Sequence, residues 1–400
     1  MTKYYKAKYI HFTKDYKSDE NIKLVNNVTL DQFLVSKELM NFINSFEKGE
    51  TLDNVTNLYE NDYTEDFEFL VKKNILLNED VFYKETYKCQ LPKNRYFRIK
   101  PLLGDDKFSN KIVFIGIPFG KGNPSDSGTA FFPYNFRTLS EKISLLDKEH
   151  FTTFPVGSII QEDNKINLQN IIENDYLRDI GDIFMHNFEY NHVAYEKIEH
   201  VYGNIVSNKN IPFGLGGDHS ITFPILKALD KYSDEPFNVI HFDAHTDIYE
   251  GTFEDINKDF DFFHHGNFVT KSLQLENLNK YIMVGLRGVP SKNYNDKIEF
   301  YDVSMVKKLL ARKQKLGLKG KTYITFDIDI IDSAFVSGTA TPVCFGLTPF
   351  EVIECFELLL KELDIVGIDF VEVNPSRDNN KQTMEYALNL IILLLSYIKK

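Results

Sequence analysis

Histidine and aspartate, side chains that bind divalent metal ions, are concentrated in three short segments of this chain. In the first, Gly216–Ser220, two glycines allow a tight turn that leaves His219 at the end of an apolar run. A histidine that stands alone in such a turn is more often structural than a metal ligand. Whether His219 is a metal ligand therefore depends on the two segments that follow.

The second segment, HFDAHTD at residues 241–247, carries three ligand-type side chains at alternating positions. On an extended chain, Asp243, His245 and Asp247 project toward the same side. A core-like apolar strand precedes them, which favours a buried cluster over a solvated acidic loop. Buried carboxylates need a compensating cation. We interpret His241, inside the apolar run, as a structural residue of the strand.

The third segment places Asp327 and Asp329 on one face at the end of another apolar strand. Two carboxylates this close cannot both stay ionised in a dry site without a metal or a shared proton. The complete candidate ligand set is His219, Asp243, His245, Asp247, Asp327 and Asp329. With two carboxylates bridging, such a set suits two divalent ions about 3.5–4 Å apart. Carboxylate-rich ligation without a thiol favours manganese over zinc.

Apolar runs that alternate with helical patterns must position these residues. The runs that read as buried strands are Ile112–Ile117, Pro212–Leu215, Val239–Phe242, Tyr281–Val284, Tyr323–Phe326 and Ile365–Phe370. Helical patterns between them include Ile221–Leu229 and Pro349–Leu363. The alternation predicts a three-layer α/β/α domain over residues 105–400, with a mostly parallel sheet. Sites in such sheets form at the carboxyl ends of strands, which is where the three segments stand.

Residues 1–100 follow a different pattern and are predicted to form a small, separate α+β domain. Leu39, Phe42, Ile43 and Phe46 form one apolar helical stripe, and Thr51 can cap a second short helix. A third helix and the strand-like Ile75–Leu77 complete a succession of winged-helix type. The polar stretch Lys84–Lys100 is the predicted linker.

The amino-acid composition limits the kinds of binding partner and the cellular compartment that we expect for this protein. The formal net charge of −12 gives no basic face for nucleic acid, although an acidic protein can attract a cationic substrate. Three scattered cysteines form neither a disulfide framework nor a zinc spacing. The first residues lack a signal-peptide pattern, and the apolar stretch Tyr386–Ile398 is too short to span a bilayer. We therefore expect a cytoplasmic protein without a membrane partner.

The order Gly-Gly-Asp-His-Ser, Asp-Ala-His-Thr-Asp and Phe-Asp-x-Asp-x-x-Asp resembles the signature segments of the ureohydrolase (arginase/agmatinase) superfamily. Further matches are Gly116–Phe119, Asp179–Asp182, Val284–Gly288, Gly338–Pro342 and Asp369–Pro375. The resemblance covers roughly residues 105–400. It implies an arginase-like fold and hydrolysis of a guanidino group to urea and an amine.

The resemblance also implies a role for each matching residue. One manganese ion would be held by His219, Asp243, Asp247 and Asp327, and the other by Asp243, His245, Asp327 and Asp329, with Asp243 and Asp327 shared. A hydroxide between the ions, oriented by Asp247, would attack the guanidinium carbon. Glu372 would pair with the guanidinium. His265 would carry a proton to the leaving amine, with His264 as the alternative if the loop register differs.

The sequence does not determine the part of the substrate that lies beyond the guanidino group. Tyr249 stands where free-arginine enzymes of the family place asparagine, whereas agmatinases have a similar Asp-x-Tyr. Agmatine, another small guanidino compound, a formimino compound and an arginine-containing peptide are the alternatives. A scaffold or binding protein that kept the fold is the non-enzymatic alternative, and the complete ligand set disfavours it.

The first hundred residues carry a second resemblance. The succession from Ser36 to Leu77 resembles PqqD-like peptide-recognition domains, which capture a leader peptide by adding its strand to a small sheet. That resemblance implies a peptide arginase, which converts an arginine residue to ornithine. The alternative is an extension that supports a homo-oligomer, the assembly we expect, or covers a sheet edge.

Overall fold

The chain forms two compact units in a computed structural model. The first comprises Met1–Lys88 and Phe184–Lys197, and the second comprises Cys89–Ile183 and Ile198–Lys400. The structure describes residues 2–14, 21–102, 108–143, 145, 155–186, 189–249, 264–287 and 295–400.

In its described residues, the first unit combines two small antiparallel sheets with four helices and the beginning of a fifth. Its elements are β1 (Lys3–Lys6), β2 (Ile10–Lys14), β3 (Asn21–Asn26), β4 (Gln32–Ser36), α1 (Lys37–Asn44), β5 (Glu50–Thr51), α2 (Leu52–Thr56), α3 (Thr64–Lys72), β6 (Leu76–Asn78) and α4 (Glu79–Thr86). Strand β1 lies between β5 and β6, and β3 lies between β2 and β4. The three helices α1, α2 and α3 and the following strand β6 occur in the order that the sequence predicted.

The helices of the first unit begin at residues whose side chains cap them. Ser36 accepts a hydrogen bond from the Leu39 amide, and Thr51 accepts one from the Asn54 amide. The apolar stripe that includes Phe42 is buried as predicted. Strands β1 to β4 and helix α4 were not predicted, because their short runs mix aromatic, polar and charged residues without a clear period.

The second unit is built on a sheet of nine strands. Its strands are β7 (Cys89–Gln90), β8 (Ile112–Gly116), β9 (Leu177–Ile183), β10 (Ile211–Leu215), β11 (Phe237–Phe242), β12 (Leu278–Leu286), β13 (Ile298–Asp302), β14 (Lys321–Asp327) and β15 (Asp364–Val371). Their order is β13-β12-β11-β14-β15-β10-β8-β9-β7. All neighbouring pairs are parallel except β7 with β9.

Helices alternate with these strands along the chain. They are α5 (Phe132–Ser140), α6 (Pro155–Ile159), α7 (Glu162–Glu173), α8 (Asn191–Ser207), α9 (Thr222–Tyr232), α10 (Phe268–Ser272), α11 (Val303–Arg312), α12 (Pro349–Leu359) and α13 (Gln382–Leu395). The boundary between the two units falls within α8. Among the helices that the structure describes, none is long and apolar enough to cross a membrane.

Every residue of the central strands β8 and β11 is buried, because elements cover the sheet on both faces. The predicted α/β class with a mostly parallel sheet is confirmed, and so are the six strands that read as apolar runs. Strand β9 was missed because buried and half-buried residues alternate along it.

The stretch predicted as a linker is structured: its residues 84–88 belong to the first unit, and the rest belongs to the second. Cys89 and Gln90 form the antiparallel edge strand beside β9. Tyr96 is fully buried, and the Arg137 guanidinium lies 3.6 Å above the centre of its ring. Because this aromatic–cation pair belongs to the core of the second unit, that unit begins at Cys89 rather than near residue 105.

Candidate active site

Four adjacent strands bring the three sequence segments together. In the order β11-β14-β15-β10, the strands are parallel neighbours, so their carboxyl ends meet at one edge of the sheet. Asp243 follows β11, Asp327 ends β14, Glu372 follows β15, and His219 follows β10 after a short turn. All four side chains are at most 2% exposed.

The turn after β10 depends on its two glycines. Gly216 and Gly217 have φ values of +98° and +90°, a region that side chains rarely adopt. A Cβ on Gly216 would also lie 2.5 Å from the ring of Pro133. The glycines thus turn the chain tightly enough to aim His219 back over the strand ends.

His219 faces three of the predicted ligands. Its Nδ1 atom lies 2.9 Å from Asp243 Oδ2, 3.3 Å from Asp247 Oδ2 and 3.3 Å from Asp327 Oδ2. The other ring nitrogen, Nε2, is 2.8 Å from Thr325 Oγ1. A histidine whose second nitrogen is anchored in this way presents a fixed atom to the carboxylates.

The second group lies on the other side of Asp243. His245 Nδ1 is 3.4 Å from Asp243 Oδ1 and 3.0 Å from Asp329 Oδ2. The Ala244 amide donates to Asp329 Oδ1 at 3.0 Å, which fixes that carboxylate. The two oxygens of Asp243 thus face different histidines, the arrangement expected of a bridging carboxylate.

His241 is closer to the site than the sequence indicated. It is fully buried, and its Nε2 atom lies 2.7 Å from Asp243 Oδ2. Two compact groups of potential ligand atoms occur in the described part of the chain: His219, His241, Asp243 and Asp247, and then Asp243, His245 and Asp329. His241 therefore supports the Asp243 carboxylate directly, which is more than the structural strand role that its apolar neighbours suggested.

Burial and neighbouring charges shift the pKa values of the residues at this edge of the sheet. Burial opposes protonation of His219, but Asp243 and Asp327 outweigh it and raise the pKa of this histidine well above its usual range. Burial and the charge of Asp243 raise the pKa of Asp247 to about 8. Burial lowers the pKa of His241 to about 4, although Asp243 acts against it.

Glu372 and His265 lie beside the aspartate cluster. Glu372 Oε1 accepts the His219 amide at 2.9 Å and lies 3.5 Å from His265 Nδ1. Burial opposes protonation of His265, but Glu372 outweighs it and raises the histidine pKa to about 9. Glu372 and Asp247 have φ values of +61° and +49°, a strained conformation for these residue types that is typical of functional sites.

A cavity of about 210 Å³ opens onto this edge. It is lined by His245, Asp247, Tyr249, His264, His265, Gly266, Asp327, Thr341 and Glu372. Tyr249 is 57% exposed, and its amide donates to Gly266 O at 3.0 Å. The cavity is therefore lined by the carboxylates of the site and also by the ring of Tyr249 and the neighbouring histidines His264 and His265.

Supporting residues around the site come from distant parts of the chain. Asp369 accepts hydrogen bonds from the hydroxyls of Thr222, Tyr323 and Thr325, and Thr325 contacts His219. Apart from the place of Asp369 in a resembling segment, no local pattern signalled these partners. Phe263, which precedes His264, and Gly288, the last residue of the resembling stretch Val284–Gly288, lie outside the described residues.

The donor set fits divalent metal ions. Among the described residues, buried His219 Nδ1 and Glu372 Oε2 have no hydrogen-bond partner, although the first faces three carboxylates. Four aspartates and two histidines meet at one edge of the sheet, and a bound cation would compensate the buried carboxylates. Oxygen-rich ligation with imidazole suits hard or borderline divalent ions.

Comparison with known proteins assigns the chain to a family. The arginase family model matches residues 110–396. The mitochondrial guanidino acid hydrolase of Homo sapiens is 29% identical over 302 residues, which cover 72% of this chain and 78% of that protein. An agmatinase of Neisseria meningitidis serogroup C is 31% identical over 277 residues, which cover 68% and 81%.

A solved structure gives the same result for the fold. Proclavaminate amidino hydrolase from Streptomyces clavuligerus aligns with a TM-score of 0.59 at 24% identity, over 78% of this chain and 98% of that one. The matched region includes the four strands that carry the site, since the family model spans all of them. The chain therefore belongs to the arginase family and is a hydrolase of amidino carbon–nitrogen bonds.

Proposed function

We propose that this protein is a dinuclear manganese enzyme that hydrolyses a guanidino group to urea and an amine. The observation that carries the proposal is the position of Asp243 between two histidines, with one oxygen toward each. Two ligand groups that share a carboxylate are the requirement for a paired metal site. A deep carboxylate, Glu372, lies beside them and can accept a cationic substrate.

The ligands divide into two sets. His219, Asp243, Asp247 and Asp327 would hold one ion, and Asp243, His245, Asp327 and Asp329 would hold the other. When bound, such ions supply Lewis acidity and a water acidified toward neutral pH. The choice of manganese follows from the predominance of carboxylates over imidazoles and the lack of a thiol among these residues.

The protein side chains then have three tasks. Glu372 pairs with the guanidinium, whose planar fork of donors matches a carboxylate. Asp247 orients the attacking water by accepting a hydrogen bond. As the bond between the central carbon and the amine nitrogen breaks, that nitrogen must gain a proton, and His265 beside Glu372 is placed to donate it.

Urea release tests this proposal. Manganese-loaded protein is assayed with arginine, agmatine, 4-guanidinobutyrate and an arginine-containing peptide in parallel, and chelator-treated protein serves as the control. We expect urea from at least one substrate and none after chelation. No urea from any of them, or equal release after chelation, would contradict the assignment.

A peptide substrate is the more specific candidate, and the first unit supports it. In the described part of that unit, β4 pairs with β3 on one side only. Phe33 on β4 contacts Phe69 on α3 with the ring centres 5.5 Å apart. Leu34 is 61% exposed and Phe69 is 43% exposed. A free strand edge next to exposed apolar side chains suits an extended peptide that adds a strand.

Agmatine or another small guanidino compound is the second candidate. The cavity volume of about 210 Å³ accommodates a substrate of that size. Tyr249 at its opening offers a ring face to an aliphatic chain. Urea from the peptide alone would establish a peptide arginase, whereas urea only from small guanidines would leave the first unit without a recognition role.

A further inference from the structure

Asp218 is a buried carboxylate to which neither the ligand set nor the proposed reaction assigns a role. It precedes His219 in the first signature segment and is 0% exposed. It belongs to neither of the compact ligand groups found among the described residues. A buried carboxylate requires hydrogen-bond donors, so its partners indicate what it holds in place.

The partners of Asp218 lead to His265. Asp218 Oδ2 accepts the Gly122 amide at 2.8 Å. Gly122 O in turn accepts the His265 amide at 3.1 Å. The Asp218 amide also donates to Phe119 O at 2.9 Å, so two points of the loop that contains Gly122 are tied to one residue.

The loop lies too close to Asp218 for a side chain at residue 122. A Cβ on Gly122 would lie 2.1 Å from Ser220 Oγ and 2.4 Å from Asp218 Oδ1. The other oxygen of the carboxylate, Oδ1, accepts the Ser220 amide at 3.0 Å and the Ser220 hydroxyl. The contact between the loop and Asp218 is therefore direct and leaves no room for an alternative placement.

We propose that Asp218 is a positioning residue that holds His265 in place through the backbone of Gly122. The inference rests on the proposed function, because it concerns the residue that would donate the proton. The neighbouring His219 amide holds Glu372 Oε1 at 2.9 Å. Residues 218 and 219 thus fix the relative positions of three groups. These are Glu372, which would bind the guanidinium, His265, which would donate the proton, and the metal ligand His219.

Asp218→Ala tests the proposal, with Ser220→Ala as the matched control. Both changes remove a hydrogen bond of the same carboxylate, but only the first removes the acceptor for Gly122. In Asp218→Ala we expect faster amide hydrogen exchange at residues 264–267, a kcat lowered about 10- to 100-fold, and a KM and bound manganese near the wild-type values. Ser220→Ala should resemble the wild type in all four measurements.

Gly122→Ala provides a second variant in which Asp218 is intact. The added methyl should displace the loop and give the same faster exchange and lower kcat, so it decides the question if Asp218→Ala does not fold. Unchanged exchange at residues 264–267 in the folded variant would overturn the proposal. Loss of kcat in proportion to lost manganese would do so too, because Asp218 would then support His219. If the wild type releases no urea, the proposed function fails, and the exchange measurement still tests the tether.

Discussion

The histidines that face the aspartate cluster and the histidines of the first unit lie in opposite electrostatic surroundings. In the second unit, His219 and His245 face aspartates that raise their pKa values despite burial. In the first unit, burial lowers the pKa values of His11, His186 and His192, and nearby lysines lower those of His11 and His186 further. At His192, Glu196 acts against the effect of burial. In the described part of the chain, both compact groups of potential metal ligands lie in the second unit.

This difference bears on how each unit can act. A cluster of carboxylates around histidines is suited to metal chemistry and specifies it through side chains. The first unit offers instead a strand edge and exposed apolar residues, which recognise a partner mainly through backbone hydrogen bonds. The catalytic chemistry belongs to one unit, and a recognition role is the proposal for the other.

Asp329→Asn should have the largest effect, because it changes a candidate metal ligand of the second unit. The change removes one charge from the second ligand group, and we expect urea release to fall about 1,000-fold or more while the fold is retained. Steady-state kinetics and circular dichroism measure the two quantities. Asp364→Asn, at an exposed aspartate in the same unit, should leave both unchanged. Undiminished turnover in Asp329→Asn would remove the basis for a two-metal site.

His265→Asn and His264→Asn form a matched pair of neighbours. Loss of the proton donor should lower kcat about 100-fold in the first variant, and the second should change kcat by less than about threefold. Because the His265 pKa is raised to about 9, the protonated donor predominates at neutral pH. The wild-type kcat should therefore fall as the pH rises through that value. The reverse ranking of the two variants would assign the proton transfer to His264.

Leu34→Asp tests whether the first unit binds a peptide at the edge of β4. A charge beside the free edge of β4 should raise KM for an arginine-containing peptide about tenfold and leave small guanidines unaffected. Leu58→Asp is the control, because Leu58 is 73% exposed in the same unit but does not lie on β4. Equal effects of the two variants on the peptide KM would refute a binding role for this edge.

Acid should weaken the first unit through His186, and this is the smallest of the expected effects. Burial and Lys197 lower the folded-state pKa of His186 from 6.5 to about 4, so the unfolded chain binds a proton there more readily. The resulting stability is present above pH 6.5 and is lost as the pH falls toward 4. The protection of the α1 and α3 amides, expressed relative to their intrinsic exchange rates at each pH, should fall between pH 7 and pH 5, and His186→Gln should reduce that fall. Equal pH dependence in this variant would exclude His186 as the cause.

The convergence of the candidate ligands could be predicted from the sequence, whereas the residues that support them could not. Asp243, His245 and Asp327 stand at the ends of apolar strands, and parallel strands end at one edge of a sheet, so their convergence follows from local patterns. The tether from Asp218 to His265 was not predictable, because it joins residues that are distant in sequence through backbone atoms. The place of His241 against Asp243 depends likewise on side-chain packing.

The fold shows a similar division. Strands β8, β10, β11, β12, β14 and β15 were predicted because burial on both faces requires continuous apolar runs. Strands β9 and β13 lack such runs, since each retains partly exposed positions. The contribution of Phe184–Lys197 to the first unit could not be foreseen, because it is a tertiary contact with no local signal.

A manganese titration that records bound metal and urea release on the same samples tests the central claim most directly. Metal-free protein receives increasing manganese, and each sample is analysed for metal content and for turnover of whichever guanidino substrate releases urea. We expect turnover to rise to its maximum as two ions bind per chain. Full turnover without bound metal, or with a single ion per chain, would contradict the two-metal assignment.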